Sequence, residues 1–157
     1  MSGVRILNVE PQGYSTKAQE ILGALGELTE KPLDRAGLLK AAAECEVLIS
    51  RFGHSLDKEL FAAAPGLRAL VSATTGLDHI DLESLLSMGF TVSNLPSKDH
   101  AIPLAEHVIF MMLFLYRNYD ETRRCLETGQ VFLPTNEELF DKTLGLVGFG
   151  ATGREVA

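Results

Sequence analysis

Gly148, Gly150 and Gly153 stand at G-x-G-x-x-G spacing, after the apolar run Leu144, Leu146 and Val147 and before Arg154-Glu155-Val156. A strand leading into such a turn and a helix starting after it give each glycine a task. Gly148 permits the tight turn, Gly150 lets backbone approach a pyrophosphate, and Gly153 lets the helix pack closely on the strand. The free N–H groups and dipole at the helix start then favour phosphate. Three glycines at this spacing also occur in ordinary turns, so the flanking strand and helix patterns carry the reading. A full dinucleotide site also needs an acidic residue about 20 positions later, after a second strand, to hold the ribose. The sequence stops at Ala157. The expectation is an incomplete nucleotide site, in the front part of something longer or in a half-protein with another role.

A second stretch able to do chemistry is Ala73-Thr74-Thr75-Gly76-Leu77. It follows a strand pattern and offers successive backbone N–H groups around a glycine bend, a concavity suited to a carboxylate or phosphate. A plain strand-to-helix turn is the alternative. Arg51 ends another strand pattern, where it could meet an anion or stand as a solvated loop residue. The histidines are His54, His79, His100 and His107, none at a metal-ligand spacing. His79 lies between Asp78 and Asp81, which suits acid–base work or simple helix entry. No Ser-His-Asp ordering, P-loop or nucleophile elbow is present.

The elements that must position these residues alternate. Strands are expected at Val4–Val9, Gly26–Lys31, Glu46–Ser50, Leu67–Ser72 and Phe90–Asn94. Between them, helices start at caps Ser15 or Thr16, Asp34 and Asp81, and another runs from Asp57 to Ala64 and ends at Pro65-Gly66. Ala18, Ile21, Leu22 and Leu25 would face inward on the first helix, and Leu38, Leu39 and Ala42 on the second. Alternating strands and helices with short connections mean a doubly wound parallel α/β sheet. Its ligands would sit beyond the carboxyl ends of the strands, at the loops Glu10–Tyr14, Arg51–Ser55 and Ala73–His79. A long helix then runs from about Ile102, with Pro103 near its first position, to about Arg124. Its middle, Val108 to Tyr116, has no polar side and must be covered all round, by further chain or a partner subunit. Gly129 to Asp141 reads as a loop leading to the glycine strand.

The 157 residues are 46% hydrophobic with net charge -7, enough for a core and the wrong sign for binding nucleic acid or an acidic membrane. Cys45 and Cys125 fit reduced cytosolic thiols, not a disulfide framework or zinc site. The first residues have no long apolar signal region, and the most apolar segment falls short of the ~20 residues that span a bilayer. Cytoplasmic location is expected. The strand-one loop lacks the paired acidic residues of a receiver-like phosphate-binding domain.

The order of these signals resembles the D-isomer-specific 2-hydroxyacid dehydrogenases. The likeness rests on Thr74-Thr75-Gly76-Leu77-Asp78-His79-Ile80-Asp81, then Gly89-Phe90-Thr91-Val92-Ser93-Asn94, then Leu104-Ala105-Glu106-His107 opening the long helix, then Gly145 to Arg154. The resemblance implies a flavodoxin-like substrate domain over residues 1–100, without its C-terminal return helix, and the start of a Rossmann NAD(P)-binding domain over residues 101–157. It implies that Thr75, Gly76 and Leu77 bind the carboxylate of a small 2-hydroxy or 2-keto acid, with Arg51, Phe52 and Gly53 bordering it. Gly148, Gly150, Ala151, Thr152 and Gly153 would hold the pyrophosphate of NAD or NADP. A homodimer through helix 102–124 is implied as well. The family's substrate-gripping Arg, proton-exchanging His and His-orienting Glu lie after the glycine motif, so this chain alone is expected to be inactive. The alternative is a non-catalytic α/β module, dimerising or regulatory, that pairs through helix 102–124.

Overall fold

Four side chains set where the first helices begin. Ser15 accepts from the N–H of Ala18 at 3.2 Å, Asp34 from Gly37 at 2.7 Å, Asp57 from Leu60 at 3.1 Å and Asp81 from Ser84 at 3.1 Å. Each satisfies a helix N–H that has no partner within its own helix. The structure, a computed structural model, describes residues 3–131 and 134–157. In chain order the elements are β1 Val4–Asn8, α1 Thr16–Leu25, β2 Gly26–Glu30, α2 Arg35–Ala42, β3 Val47–Ser50, α3 Lys58–Ala63, β4 Ala69–Ser72, α4 Leu82–Ser87 and β5 Thr91–Ser93. α5 Lys98–Tyr116, α6 Tyr119–Glu127 and α7 Ala151–Val156 follow. The chain divides into two compact units, one ending at Leu95 and the other starting at Pro96.

In the first unit the strands form one wholly parallel sheet in the order β2-β1-β3-β4-β5. This is the flavodoxin-like doubly wound order, with its switch point between β1 and β3. Register puts Leu7, Leu48, Leu70 and Val92 side by side across four strands. They pack with Leu38 and Ala42 of α2, Leu60 and Phe61 of α3, and Leu85 of α4. Burial of these side chains holds the sheet against its helices and leaves the loops at its carboxyl edge to be shaped by polar contacts.

Three expectations need correction. α1 fully buries none of its residues: Ala18 and Leu22 are half-buried, whereas Ile21 and Leu25 are exposed. The long helix begins at Lys98, which puts Pro103 inside it, and it does not run to Arg124. Asn118 adopts a left-handed conformation at φ 42° and divides it into α5 and α6. Asparagine tolerates that conformation, and its amide donates to the Thr135 carbonyl at 2.7 Å. Leu144 to Val147 forms no strand and is exposed. A strand needs a hydrogen-bonded neighbour, and the second unit has none among the described residues. Residues 132 and 133 of the expected loop 129–141 lie outside the described residues.

α5 packs with α7 and buries Ala101 and Ala105. Ile102, Leu104, Ile109, Phe110, Met111, Leu113 and Leu115 are exposed along α5. No helix among the described residues is long and apolar enough to cross a membrane.

Candidate functional site

The carboxyl edge of the sheet carries a layer of buried polar side chains, Asn8, Ser50, Ser72 and Thr74. Each buried polar group there has to find a partner. Asn8, at the end of β1, donates to Glu30 at 2.9 Å and accepts from the Glu10 N–H at 3.2 Å. Ser50, at the end of β3, donates to the Glu10 carboxylate at 2.8 Å. That carboxylate also accepts from the N–H groups of Arg51 and Gly53. Partial burial raises the Glu10 pKa, but the hydrogen bonds from Arg51, Ser50 and Gly53, with the charge of His54, outweigh it and hold the group below its ordinary range. A Cβ on Gly53 would stand 2.9 Å from Glu10 Oε1, so glycine lets the carboxylate close on the loop.

Arg51 is exposed, and its guanidinium donates to the Gln12 carbonyl at 3.0 Å, joining the loops after β1 and β3. Phe52 is 68% exposed, and its ring centroid lies 5.4 Å from that of His79 in the loop after β4. The three sequence-named loops at this edge therefore meet.

In the β4 loop, Thr74 is pinned from both sides. Its hydroxyl lies 2.6 Å from Ser72 Oγ and donates to the Gly76 carbonyl at 2.7 Å. The Thr74 carbonyl accepts from Leu95 at 3.0 Å, and Asn94 Nδ2 donates to the Thr75 carbonyl at 2.8 Å. The N–H groups of Thr75, Gly76 and Leu77 donate to no protein acceptor among the described residues. Loop carbonyls are thus tied back to the protein while three successive donors stay free, an arrangement that can take an anion. His79 Nε2 lies 3.4 Å from Ser72 Oγ, and its Nδ1 is buried without a partner among the described residues.

Sequence reasoning named the Glu10–Tyr14 loop but not Glu10 itself. The one available signal was an acidic residue directly after the first strand pattern, where ligand-facing loops begin. A cavity of about 470 Å³ beside α2, lined by Arg5, Leu7, Thr29, Lys31, Lys40 and Cys45 among others, includes no residue of the loops after β1, β3 or β4. Burial pushes the Cys45 thiol up to about 11, which leaves it unreactive there.

In the second unit, Gly148 has φ +95°, a conformation that side-chain-bearing residues rarely adopt. A Cβ on Gly153 would stand 2.7 Å from the Gly148 carbonyl oxygen, whereas nothing lies within 4 Å of one on Gly150. The turn therefore needs its first and third glycines for its own shape, and it is open at the second. Ala151 and Thr152 open α7 directly after it. Among the described residues there is no cluster of three or more His, Cys, Asp or Glu able to hold a metal ion.

These features define an α/β protein of the doubly wound class, with a loop of unpaired backbone donors at the carboxyl edge of its sheet and a glycine turn opening a helix. The chain belongs to the D-isomer specific 2-hydroxyacid dehydrogenase family, whose catalytic-domain model matches residues 6–153. It is 34% identical over 149 residues to the D-3-phosphoglycerate dehydrogenase of Mycobacterium leprae, covering 89% of this chain and 28% of that protein. It is 32% identical over 133 residues to the hydroxypyruvate reductase of Thermotoga maritima, covering 83% of this chain and 43% of that protein. The chain therefore spans less than half the length of these curated relatives. Among solved structures, the D-lactate dehydrogenase of Aquifex aeolicus, complexed with NAD and lactic acid, shares the fold with TM-score 0.84 and 24% identity, over 96% of this chain and 46% of that one.

Proposed function

We propose that this chain supplies the substrate-carboxylate loop and the pyrophosphate turn of an NAD(P)-dependent oxidoreductase that interconverts D-2-hydroxy acids and 2-keto acids. The observation that carries the reading is the trio of free N–H groups at Thr75, Gly76 and Leu77, held open by the Thr74 and Asn94 hydrogen bonds. Three such donors suit the carboxylate common to both acids. Arg51, Phe52 and Gly53 border that position.

The glycine turn fits a dinucleotide, because Gly148 and Gly153 build a tight bend and Gly150 leaves its outer side clear. Gly148, Gly150, Ala151, Thr152 and Gly153 would hold the pyrophosphate. When bound, the nicotinamide supplies the hydride, and the protein's part is to bind and orient. The unit through Leu95 acts as the substrate part and the unit from Pro96 begins the nucleotide part. Relatives named hydroxypyruvate reductase and D-3-phosphoglycerate dehydrogenase support a small hydroxy or keto acid. The family resemblance puts the substrate-gripping Arg, the proton-exchanging His and the Glu that orients it beyond the glycine motif, so these 157 residues alone are expected not to turn over.

The exposed apolar side chains of α5, Phe110 and Leu113 among them, support a homodimer that pairs through α5. They also favour the second reading, a non-catalytic pairing module. Backbone amide shifts in a ¹⁵N-labelled chain separate the two. D-lactate should move Thr75, Gly76 and Leu77, and NADH should move Gly148 to Gly153. Pairing with no response to either compound would favour the module.

A further inference from the structure

We propose that Glu10 is a positioning residue of the substrate site: its carboxylate fills the N–H groups on either side of Phe52 and so sends an incoming carboxylate to Thr75–Leu77. This rests on the reading that these loops receive a 2-hydroxy or 2-keto acid. Two loops at the carboxyl edge present backbone donors, but they are not equivalent. In the loop after β3, the N–H groups of Arg51 and Gly53 are already taken by Glu10, and Ser50 adds a third donor to the same carboxylate. An acid arriving there would have to displace Glu10 and face its negative charge. In the loop after β4, the corresponding donors are free.

The clamp also fixes what lies between its two contacts. Phe52 is flanked by the two N–H groups that Glu10 holds, and its ring rests against His79. Held there, the exposed ring forms a wall between the two loops and limits the substrate side chain. Arg51, pinned by its own N–H and by the Gln12 carbonyl, is set at the rim. The ionisable neighbours of the carboxylate are Arg51, His54 and Tyr14. Gly53 belongs to the device, because a Cβ there would crowd Glu10 Oε1.

The test uses the ¹⁵N-labelled 157-residue chain, with D-lactate as probe. In the unsubstituted chain, D-lactate should shift Thr75, Gly76 and Leu77 and leave Arg51 and Gly53 in place. In Glu10→Gln, whose amide group turns a donor toward donors, and in Gly53→Ala, D-lactate should bind about tenfold more weakly. In Glu10→Gln the Arg51 and Gly53 amides should also begin to respond to it. Unchanged D-lactate binding in both variants would overturn the proposal. The clamp is read separately by lowering the pH from ~7 to ~2 without ligand. A step in the Arg51 and Gly53 amides below the ordinary glutamate range, absent in Glu10→Gln, supports it even if no acid binds. Amides that ignore this change, or that move as much in Glu10→Gln, overturn it. Failure of D-lactate to move Thr75–Leu77 counts against the functional reading alone.

Discussion

The carbonyl oxygen of Gly148 occupies the space where a side chain on Gly153 would begin, 2.7 Å from the position of its Cβ. The two glycines are therefore one structural device, the first bending the chain and the third accepting the bent carbonyl.

Gly153→Ala should force that carbonyl away and distort the start of α7. Gly148→Ala should reach a similar result through its positive φ, at a cost of roughly 1–3 kcal/mol. Either change should weaken NADH binding by at least about tenfold, read as lost enhancement of NADH fluorescence. Gly150→Ala meets no protein atom, so its effect should appear only in nucleotide binding and not in thermal stability.

Asp57 joins α3 to α2. Its carboxylate caps α3 at the Leu60 N–H and receives the Arg35 guanidinium at 2.6 Å. The Arg35 hydrogen bond, helped by that of Leu60 and opposed by slight burial, holds the carboxyl below its ordinary range. A carboxyl lowered in the folded state stabilises above its unfolded pKa, and this contribution is lost as the pH falls through the folded value. Asp57→Asn keeps a capping oxygen but removes the charge. Its melting temperature should depend less on pH below ~4 than that of the unsubstituted chain. Asp57→Ala also loses the cap, which should cost about 1 kcal/mol in a urea titration at neutral pH.

Phe110 and Leu113 lie one helical turn apart on α5, 55% and 45% exposed. If α5 pairs two copies, light scattering should give about twice 17.1 kDa for the chain. Phe110→Glu with Leu113→Glu should return it to a monomer, because burying two unpaired carboxylates is costly. A monomer before substitution would speak against the pairing.

The fold was legible where local chemistry and periodicity agree. Asp34 and Asp81 each cap the helix expected from them, and Leu38, Ala42, Leu48 and Leu70 are buried as their spacing requires. It was less legible where an outcome depends on a distant partner. Leu144 to Val147 has the composition of a strand, yet a strand exists only against a neighbour. Ile21 and Leu25 have helical spacing, but spacing does not say whether anything covers them. The break at Asn118 is a local event hidden in a run of helix-forming residues, its one signal an asparagine able to turn left-handed. At the site, the free amides of Thr75 to Leu77 followed from a glycine bend after a strand. Glu10 did not, because its partners Ser50, Arg51 and Gly53 lie about forty residues away and only the β1–β3 pairing brings them together.

The function is tested most directly by following NADH absorbance in two parallel samples, the native gene product from its source cells and the 157-residue chain. Each is given glyoxylate, hydroxypyruvate and pyruvate. The expected result is a fall with at least one acid for a gene product longer than 157 residues and a flat trace for the 157-residue chain. A flat trace from the gene product with all three acids, or steady NADH consumption by the 157-residue chain, would contradict it.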